Sequence, residues 1–192
     1  MKLPNSYEKL DQSNNKPNKI VIISDSMTNP IDMVKFNELL DNGCAVKRAY
    51  GGKTASFLNH CAYASIMEDK PNTMIICAGT NNLTERKQSA EQIALEIMKI
   101  VKTCHDGGVN KVLVSSITCR PSHQTKIDEI NELLQHYASI YDFQYIYNSY
   151  IQSRHLSGNV HLNNDGINML ANNFLAQLNR KSIPFHSFWG ED

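Results

Sequence analysis

The chain has 192 residues, of which 41% are hydrophobic and 20% are charged, a balance typical of one globular domain with a sizeable core. The 19 lysines and arginines equal the 19 aspartates and glutamates, so the formal net charge is zero. Proteins that depend on nucleic-acid backbones usually carry a basic excess, and the composition argues against that class.

The five cysteines lie far apart in the sequence and include no CxxC pair. An odd number at such spacings is unlike a disulfide framework or a zinc site, so we expect reduced thiols, no metal and no cofactor. The first residues lack the apolar core of a signal peptide, and no run approaches the roughly 18 apolar residues of a membrane span. We therefore expect the chain as given to be soluble and cytoplasmic.

Residues 1–17 are polar and predict a flexible segment, followed by one domain over residues 18–181 and a tail over residues 182–192. Within the domain, short apolar runs alternate with helical patterns. In chain order they predict strand 19–24, helix 30–43 closed by Gly43, strand 44–50, helix 54–69, strand 73–79, helix 89–108, strand 111–117, helix 126–142, strand 143–148 and helix 163–179.

Apolar strands separated by helices are typical of a parallel sheet with helices on both faces. The predicted fold is therefore α/β: a three-layer α/β/α sandwich around a mostly parallel, doubly wound, flavodoxin-like sheet of about five strands. No GxGxxG fingerprint supports a dinucleotide site. In such sheets ligands bind beyond the carboxyl ends of the strands, so chemistry is expected just after those ends.

Residues suited to acyl transfer follow three of the strand ends and precede the last helix. In chain order they are Ser26, Gly52, Asn81 and His161. A serine hydroxyl becomes a nucleophile when a histidine takes its proton. The resulting oxyanion can be held by backbone N–H groups, such as those of Ser26 and Gly52, and by the amide of Asn81. Each residue taken alone would be an ordinary turn or helix-capping residue.

The four segments around these residues resemble the blocks of the SGNH, or GDSL-type, hydrolase superfamily over roughly residues 19–180. They are "SDS" at Ser26, "GGKTAS" at Gly52, "AGTNN" at Asn81 and "VHLNNDG" at His161. The resemblance implies catalysis by Ser26 and His161, and an oxyanion hole formed by Ser26, Gly52 and Asn81. It also implies a small-molecule acyl ester as substrate.

Three positions depart from the superfamily's pattern. Ser24 replaces the usual glycine, and Asn82 replaces the usual aspartate. The superfamily also places an aspartate three residues before the histidine, where this chain has Gly158. Losing that carboxylate can cost about 10⁴ in kcat, and less where a backbone carbonyl holds the Nδ1–H of the histidine instead. Activity is therefore expected to be weakened or lost unless His161 is oriented in another way.

Four further residues are candidates for lining the site: Asp25, Asn82, Ser116 and His155. Asp25 is interpreted as a structural hydrogen-bond acceptor that ties loops together. Arg120, which follows the strand at 111–117, could bind a charged substrate, but a solvated loop arginine is the simpler interpretation.

Two other functions are compatible with the sequence. A catalytically degenerate SGNH-like domain could bind RNA or protein, because Ser24, Asn82 and Gly158 are departures that such a history would leave. A flavodoxin-like interaction domain could also carry the four motifs by accident. We favour a serine esterase or deacylase, since four ordered matches fall at the functional edge of one predicted sheet.

Overall fold

Five parallel strands form the central sheet of the computed structural model, which describes residues 18–85 and 87–179. The predicted segments 1–17 and 182–192 lie outside the described residues. The sheet order is β2-β1-β3-β4-β5, and every neighbouring pair is parallel. The strands are β1 (Lys19–Ser24), β2 (Cys44–Ala49), β3 (Thr73–Cys77), β4 (Lys111–Ser115) and β5 (Gln144–Ile146).

Five helices cover the two faces of this sheet and confirm the predicted three-layer α/β/α fold. One face packs against α2 (Ala55–Asp69), α3 (Ala90–Asp106) and α4 (Gln124–Ala138). The opposite face packs against α1 (Met33–Glu38) and α5 (Asn164–Leu178).

The apolar runs of the sequence reflect burial of the strands on both faces. In β1, Val21 and Ile23 pack into the core beneath α2, α3 and α4, whereas Ile20 and Ile22 pack into the core beneath α1 and α5. All four side chains are fully buried. Because successive side chains of a strand point to opposite faces, a strand covered on both sides needs an unbroken apolar run.

The helix predicted at 30–43 is shorter in the structure, and Gly43 does not end it. Asp32 caps α1 by accepting hydrogen bonds from the Val34 and Lys35 amides, and the helix ends at Glu38. Gly43 has a φ of +107° and passes so close to Asn18 that a Cβ would lie 2.1 Å from the Asn18 carbonyl oxygen. Gly43 is therefore required by the entry into β2.

A small hairpin that the sequence did not predict lies before α5. Its strands, β6 (Leu156–Ser157) and β7 (His161–Leu162), are antiparallel and only two residues long, too short for an alternating pattern. Gly158 and Asn159 at its tip have φ values of +64° and +63°. Glycine and asparagine are the residues that adopt this left-handed conformation most readily.

The strand order creates one topological switch point. From β1 the chain moves to β2 on one side, and it then crosses back to β3 on the other side of β1. Ligands of doubly wound folds bind in the crevice at such a point, here beyond the carboxyl ends of β1 and β3. None of the helices in the described part of the chain is long and apolar enough to cross a membrane.

Candidate active site

Ser26 begins a tight turn directly beyond β1. The buried Asp25 caps this turn, because its Oδ1 accepts the Met27 amide at 3.0 Å. The Asp25 amide in turn donates to the Cys77 carbonyl at 3.2 Å, which joins the ends of β1 and β3. Ser26 itself is partly exposed, and its N–H has no acceptor among the described residues. The turn therefore places Ser26, with an amide that has no acceptor among the described residues, directly beyond β1 at the switch point.

Ser24, which stands where the superfamily has glycine, stabilises the same turn through its hydroxyl group. Its buried hydroxyl donates to the Asp25 carbonyl at 2.9 Å and lies in hydrogen-bond contact with the Thr28 hydroxyl. Both partners belong to the segment around Ser26. The Ser24 side chain is therefore accommodated here, because the Thr28 hydroxyl is a hydrogen-bond partner for it.

Gly51 and Gly52 form a turn beside Ser26. The Lys53 amide donates to the Tyr50 carbonyl at 3.3 Å, and Gly52 has a φ of +72°, as the third residue of a type II turn requires. The two glycine N–H groups have no acceptor among the described residues. A Cβ built on Gly51 would lie 3.9 Å from the Ser26 Cβ, whereas one built on Gly52 would meet open space. The sequence analysis named Gly52, and the structure adds Gly51 as the glycine at which a built Cβ would come within contact distance of Ser26.

Asn81 links this turn to the end of β3. Its Nδ2 donates to the Lys53 carbonyl at 3.0 Å, and the residue is partly exposed. An amide nitrogen carries two hydrogens, so one N–H of Asn81 is available for a further acceptor. The Asn81 amide is thus oriented by the glycine turn.

Asn82, where the superfamily has aspartate, is fully buried and makes three hydrogen bonds. Its Oδ1 accepts the Ala55 amide at 2.8 Å, and its Nδ2 donates to Gln88 at 2.9 Å and to Glu96 at 2.8 Å. Thr54, the residue before α2, makes no side-chain capping bond, so Asn82 caps α2 from another loop. Its contacts join α2, α3 and the loop after β3.

His161 lies on β7, with its ring exposed. The motif around it anchors the hairpin to α5: Leu162 is buried in the core, and Asn163 caps the helix by accepting the Gly166 amide at 3.0 Å. A Cβ on Gly166 would lie 2.5 Å from the His155 carbonyl oxygen, so only glycine allows this approach. Ser26 and His161 make no hydrogen bond with each other in the described residues. His161 does interact electrostatically with the Asp25 carboxylate.

Asp25 has an unusual electrostatic environment. Burial raises the pKa of Asp25 to about 6, whereas the Met27 amide, Thr80 and the charge of His161 act in the opposite direction. Its Oδ2 is buried without a hydrogen bond of normal geometry. A buried carboxylate of this kind is destabilised when it is ionised. The sequence analysis did not identify Thr80, because only the structure brings it to Asp25.

Ser116 and His155 are engaged in local hydrogen bonds. The Ser116 hydroxyl accepts the Asn148 amide at 3.0 Å. The Nδ1 of His155 accepts the Gln152 amide at 3.0 Å, and this histidine is only 8% exposed. These contacts fix the chain after β4 and the segment before the hairpin.

Arg120 is not the solvated loop residue that the sequence suggested. It is only partly exposed, and its Nη1 donates to the Thr80 carbonyl at 3.2 Å. Its Nε is buried without a partner in the described part of the chain. Contact with Thr80, which is 40 residues away in sequence, explains why the loop context misled the prediction.

Two grooves lie away from these residues. One, of about 960 Å³, runs between α3 and α4, and the other, of about 510 Å³, runs between α1 and α5. None of the candidate site residues lines either groove. Within residues 18–85 and 87–179, no group of three or more histidines, cysteines and carboxylates could hold a metal ion.

Solved structures resemble this one over most of its length, although no protein-family model and no curated protein matches the chain. A GDSL-family lipolytic protein from Veillonella parvula is 18% identical, with 84% of this chain and 98% of that chain covered and a TM-score of 0.73. A carbohydrate esterase family 3 protein from Talaromyces cellulolyticus is 15% identical, with 83% and 95% covered and a TM-score of 0.73.

A third structure is the acetylxylan esterase Axe2 from Geobacillus stearothermophilus, at 13% identity, with 84% and 94% covered and a TM-score of 0.71. The chain has the fold of the GDSL-type hydrolases. The resemblance of the four sequence blocks is therefore confirmed at the level of the fold. Sequence identities of this size show the fold and leave the activity to be argued from the site.

Proposed function

We propose that the protein is a serine ester hydrolase with Ser26 as its nucleophile. The observation that carries this proposal is the set of free donors around Ser26. The N–H groups of Ser26, Gly51 and Gly52 lack acceptors in the described residues, and the Lys53 carbonyl orients the Asn81 amide. Free backbone donors at one point on a sheet edge suit a developing oxyanion, where each is worth more than in water.

In the proposed reaction, Ser26 Oγ attacks the carbonyl carbon of an acyl ester while His161 accepts the hydroxyl proton. The negative charge that forms on the carbonyl oxygen is held by the amides of Ser26 and Gly52 and by Asn81, with Gly51 as a further backbone donor. His161 then protonates the departing alcohol. A water molecule, deprotonated by His161, hydrolyses the acyl-serine and releases the acid.

His161 would act without the usual aspartate, because Gly158 occupies the tip of the hairpin. The charge of His161 acts on the Asp25 carboxyl, so an ionised Asp25 would in turn attract the imidazolium that forms when His161 takes the Ser26 proton. Catalytic hydrogen bonds are often long in unliganded structures and tighten when substrate binds. The exposed hairpin that carries His161 is compatible with such an approach to Ser26.

The similar structures suggest the substrate class. They include a lipolytic protein, a carbohydrate esterase and an acetylxylan esterase, the last solved as a catalytic mutant that lacks an aspartate. Short acyl esters, including acetylated sugars, are therefore the first substrates that we propose for this chain.

Hydrolysis of p-nitrophenyl acetate and butyrate tests the proposal. Ser26→Ala and His161→Ala should each abolish turnover. Ser56→Ala and His60→Ala are matched controls, because both residues are exposed on α2 and should leave the rate unchanged. Labelling of intact protein by a fluorophosphonate, followed by mass spectrometry of the modified peptide, should place the adduct on Ser26.

Turnover that survives Ser26→Ala would refute the assignment of the nucleophile. If neither ester is hydrolysed and no serine is labelled, the catalytic proposal fails and the degenerate binding module becomes the better description. RNA binding measured against salt concentration would then test that alternative.

A further inference from the structure

The position of Arg120 points to the kind of substrate. Its guanidinium is held at the carboxyl end of the sheet, beside the loop that carries Asn81. One donor, Nη1, is used by the Thr80 carbonyl, and Thr80 directly precedes Asn81. The Asn81 segment is thus held by two contacts: the Lys53 carbonyl accepts from the Asn81 amide, and Arg120 donates to the Thr80 carbonyl.

The charge of this guanidinium is uncompensated. Arg120 makes no ion pair with any carboxylate of residues 18–85 and 87–179. Its Nε is buried and has no partner in the same residues. A guanidinium carries five N–H donors and stays charged at all physiological pH values. A half-buried cation with unused N–H donors costs folding free energy unless an anion neutralises its charge and accepts hydrogen bonds from those donors.

The backbone holds Arg120 in this place. The His123 amide donates to the Arg120 carbonyl at 2.8 Å and closes a turn, Pro121–His123, that leads into α4. Earlier in the loop, Asn131 exchanges two hydrogen bonds with the backbone of Ile117, both at 2.9 Å. The loop is therefore fixed on both sides of the arginine, and the Thr80 carbonyl holds the side chain, so part of the ordering cost is met before any ligand binds.

We propose that Arg120 binds an acidic group of the ester, so that the preferred substrates are esters that carry a carboxylate or phosphate besides the scissile bond. This inference rests on the proposed ester hydrolase function and names the substrate class of that site. Arg120 is then a specificity-determining residue: planar, bidentate recognition of a carboxylate or phosphate is the use to which arginine is best suited.

Paired charged and neutral esters test the inference on the full chain. Mono-(4-nitrophenyl) glutarate places a carboxylate on the acyl side and is compared with p-nitrophenyl butyrate. 4-Acetoxybenzoate places it on the leaving group and is compared with phenyl acetate. In wild type, at least one charged ester should have the higher kcat/KM of its pair, and this preference should fall with ionic strength.

Arg120→Gln should lower kcat/KM for that charged ester by about 10- to 100-fold, as expected for loss of a charge-assisted hydrogen bond, and change the neutral ester far less. Arg120→Lys should retain part of the preference, because it keeps the charge without the planar fork. Lys99→Gln, which removes the same positive charge from α3, should leave the preference for the charged ester intact. Equal losses for both members of a pair would overturn the inference, and they would make Arg120 a residue that only positions Thr80 and Asn81.

A binding measurement separates failure of this inference from failure of the proposed function. The ¹⁵N–¹H signal of the Arg120 Nε, assigned by its absence in Arg120→Gln, is followed during titration of Ser26→Ala with glutarate and, separately, with inorganic phosphate. A saturable shift of that signal supports the anion site even if no ester is hydrolysed. If neutral esters are hydrolysed but neither anion shifts the signal and no charged ester is preferred, the inference is refuted while the hydrolase stands.

Discussion

Replacing Asp25 by asparagine should stabilise the protein, and it should do so only where the wild-type carboxyl is ionised. Asp25 is fully buried, and its Oδ2 has no normal hydrogen bond. Asparagine has nearly the same size and keeps the oxygen that accepts the Met27 amide. The substitution therefore removes a charge while it preserves the cap of the Ser26 turn.

The size of the effect follows from the pKa of Asp25, which burial raises from 3.8 to about 6. A difference of about two pH units between the unfolded and folded states corresponds to about 3 kcal/mol. Because the pKa is higher in the folded state, the penalty is absent below pH 3.8. It grows between pH 3.8 and 6, and it is fully present above pH 6.

Urea unfolding followed by circular dichroism at several values between pH 4 and pH 8 measures this effect. The free energy of unfolding of Asp25→Asn minus that of wild type should rise by up to about 3 kcal/mol from pH 4 to pH 8. Burying the amide hydrogens of asparagine costs stability to an extent that does not depend on pH. Only the change with pH in the difference between variant and wild type is therefore diagnostic. Asp142→Asn controls for removal of an exposed carboxylate.

The charge of His161 interacts with Asp25, so the unfolding of Asp25→Asn and of its parent is compared again in a His161→Gln background. In that background the difference in free energy of unfolding should still rise with pH, and by somewhat more, since the positive charge of His161 that favours the ionised carboxylate has been removed. A difference between variant and wild type that stays constant from pH 4 to pH 8 would refute the reasoning about Asp25.

Three further predictions concern residues that shape the site. Asn82→Asp should destabilise the fold by about 2 kcal/mol in urea unfolding, because it replaces a hydrogen-bond donor to Glu96 with a second carboxylate. Adding Glu96→Gln should recover most of this loss in a double-mutant cycle, and additive effects would contradict the contact. Asn81→Ala should lower kcat on p-nitrophenyl butyrate by about 10²- to 10³-fold with little change in melting temperature, and an unchanged kcat would remove Asn81 from the oxyanion hole. Gly166→Ala should cost about 1–3 kcal/mol in thermal or urea unfolding, since its Cβ meets the His155 carbonyl oxygen, whereas an unaltered midpoint would show that this backbone moves freely.

Much of the fold could be predicted from local patterns. The run at β1 is apolar because both faces of that strand are buried. The helix α3 combines a buried stripe with a capping box, in which Ser89 and Gln92 exchange hydrogen bonds at 3.1 and 2.9 Å. Both signals lie within one turn or one strand, so the sequence displays them directly.

The features that failed to be predicted either depend on partners far away in sequence or are too short to show a pattern. Gly43 resembled a helix end, but it is needed because the chain passes the Asn18 carbonyl. The hairpin around Gly158 is too short to leave a periodic signal. Arg120 had the context of a solvated loop, yet its guanidinium reaches Thr80.

Hydrophobic periodicity and turn chemistry are local properties, so the sequence was enough to predict the five-stranded sheet, its main helices and the segments that follow β1, β2 and β3. Three features depend instead on how distant segments pack: the position of Gly51 near Ser26, the capping of α2 by Asn82 across 27 residues, and the burial of Asp25 with an Oδ2 that lacks a normal hydrogen bond. The physical reason is that desolvation and hydrogen-bond satisfaction depend on which chain segments meet in space. A residue's type and its neighbours in sequence do not contain that information.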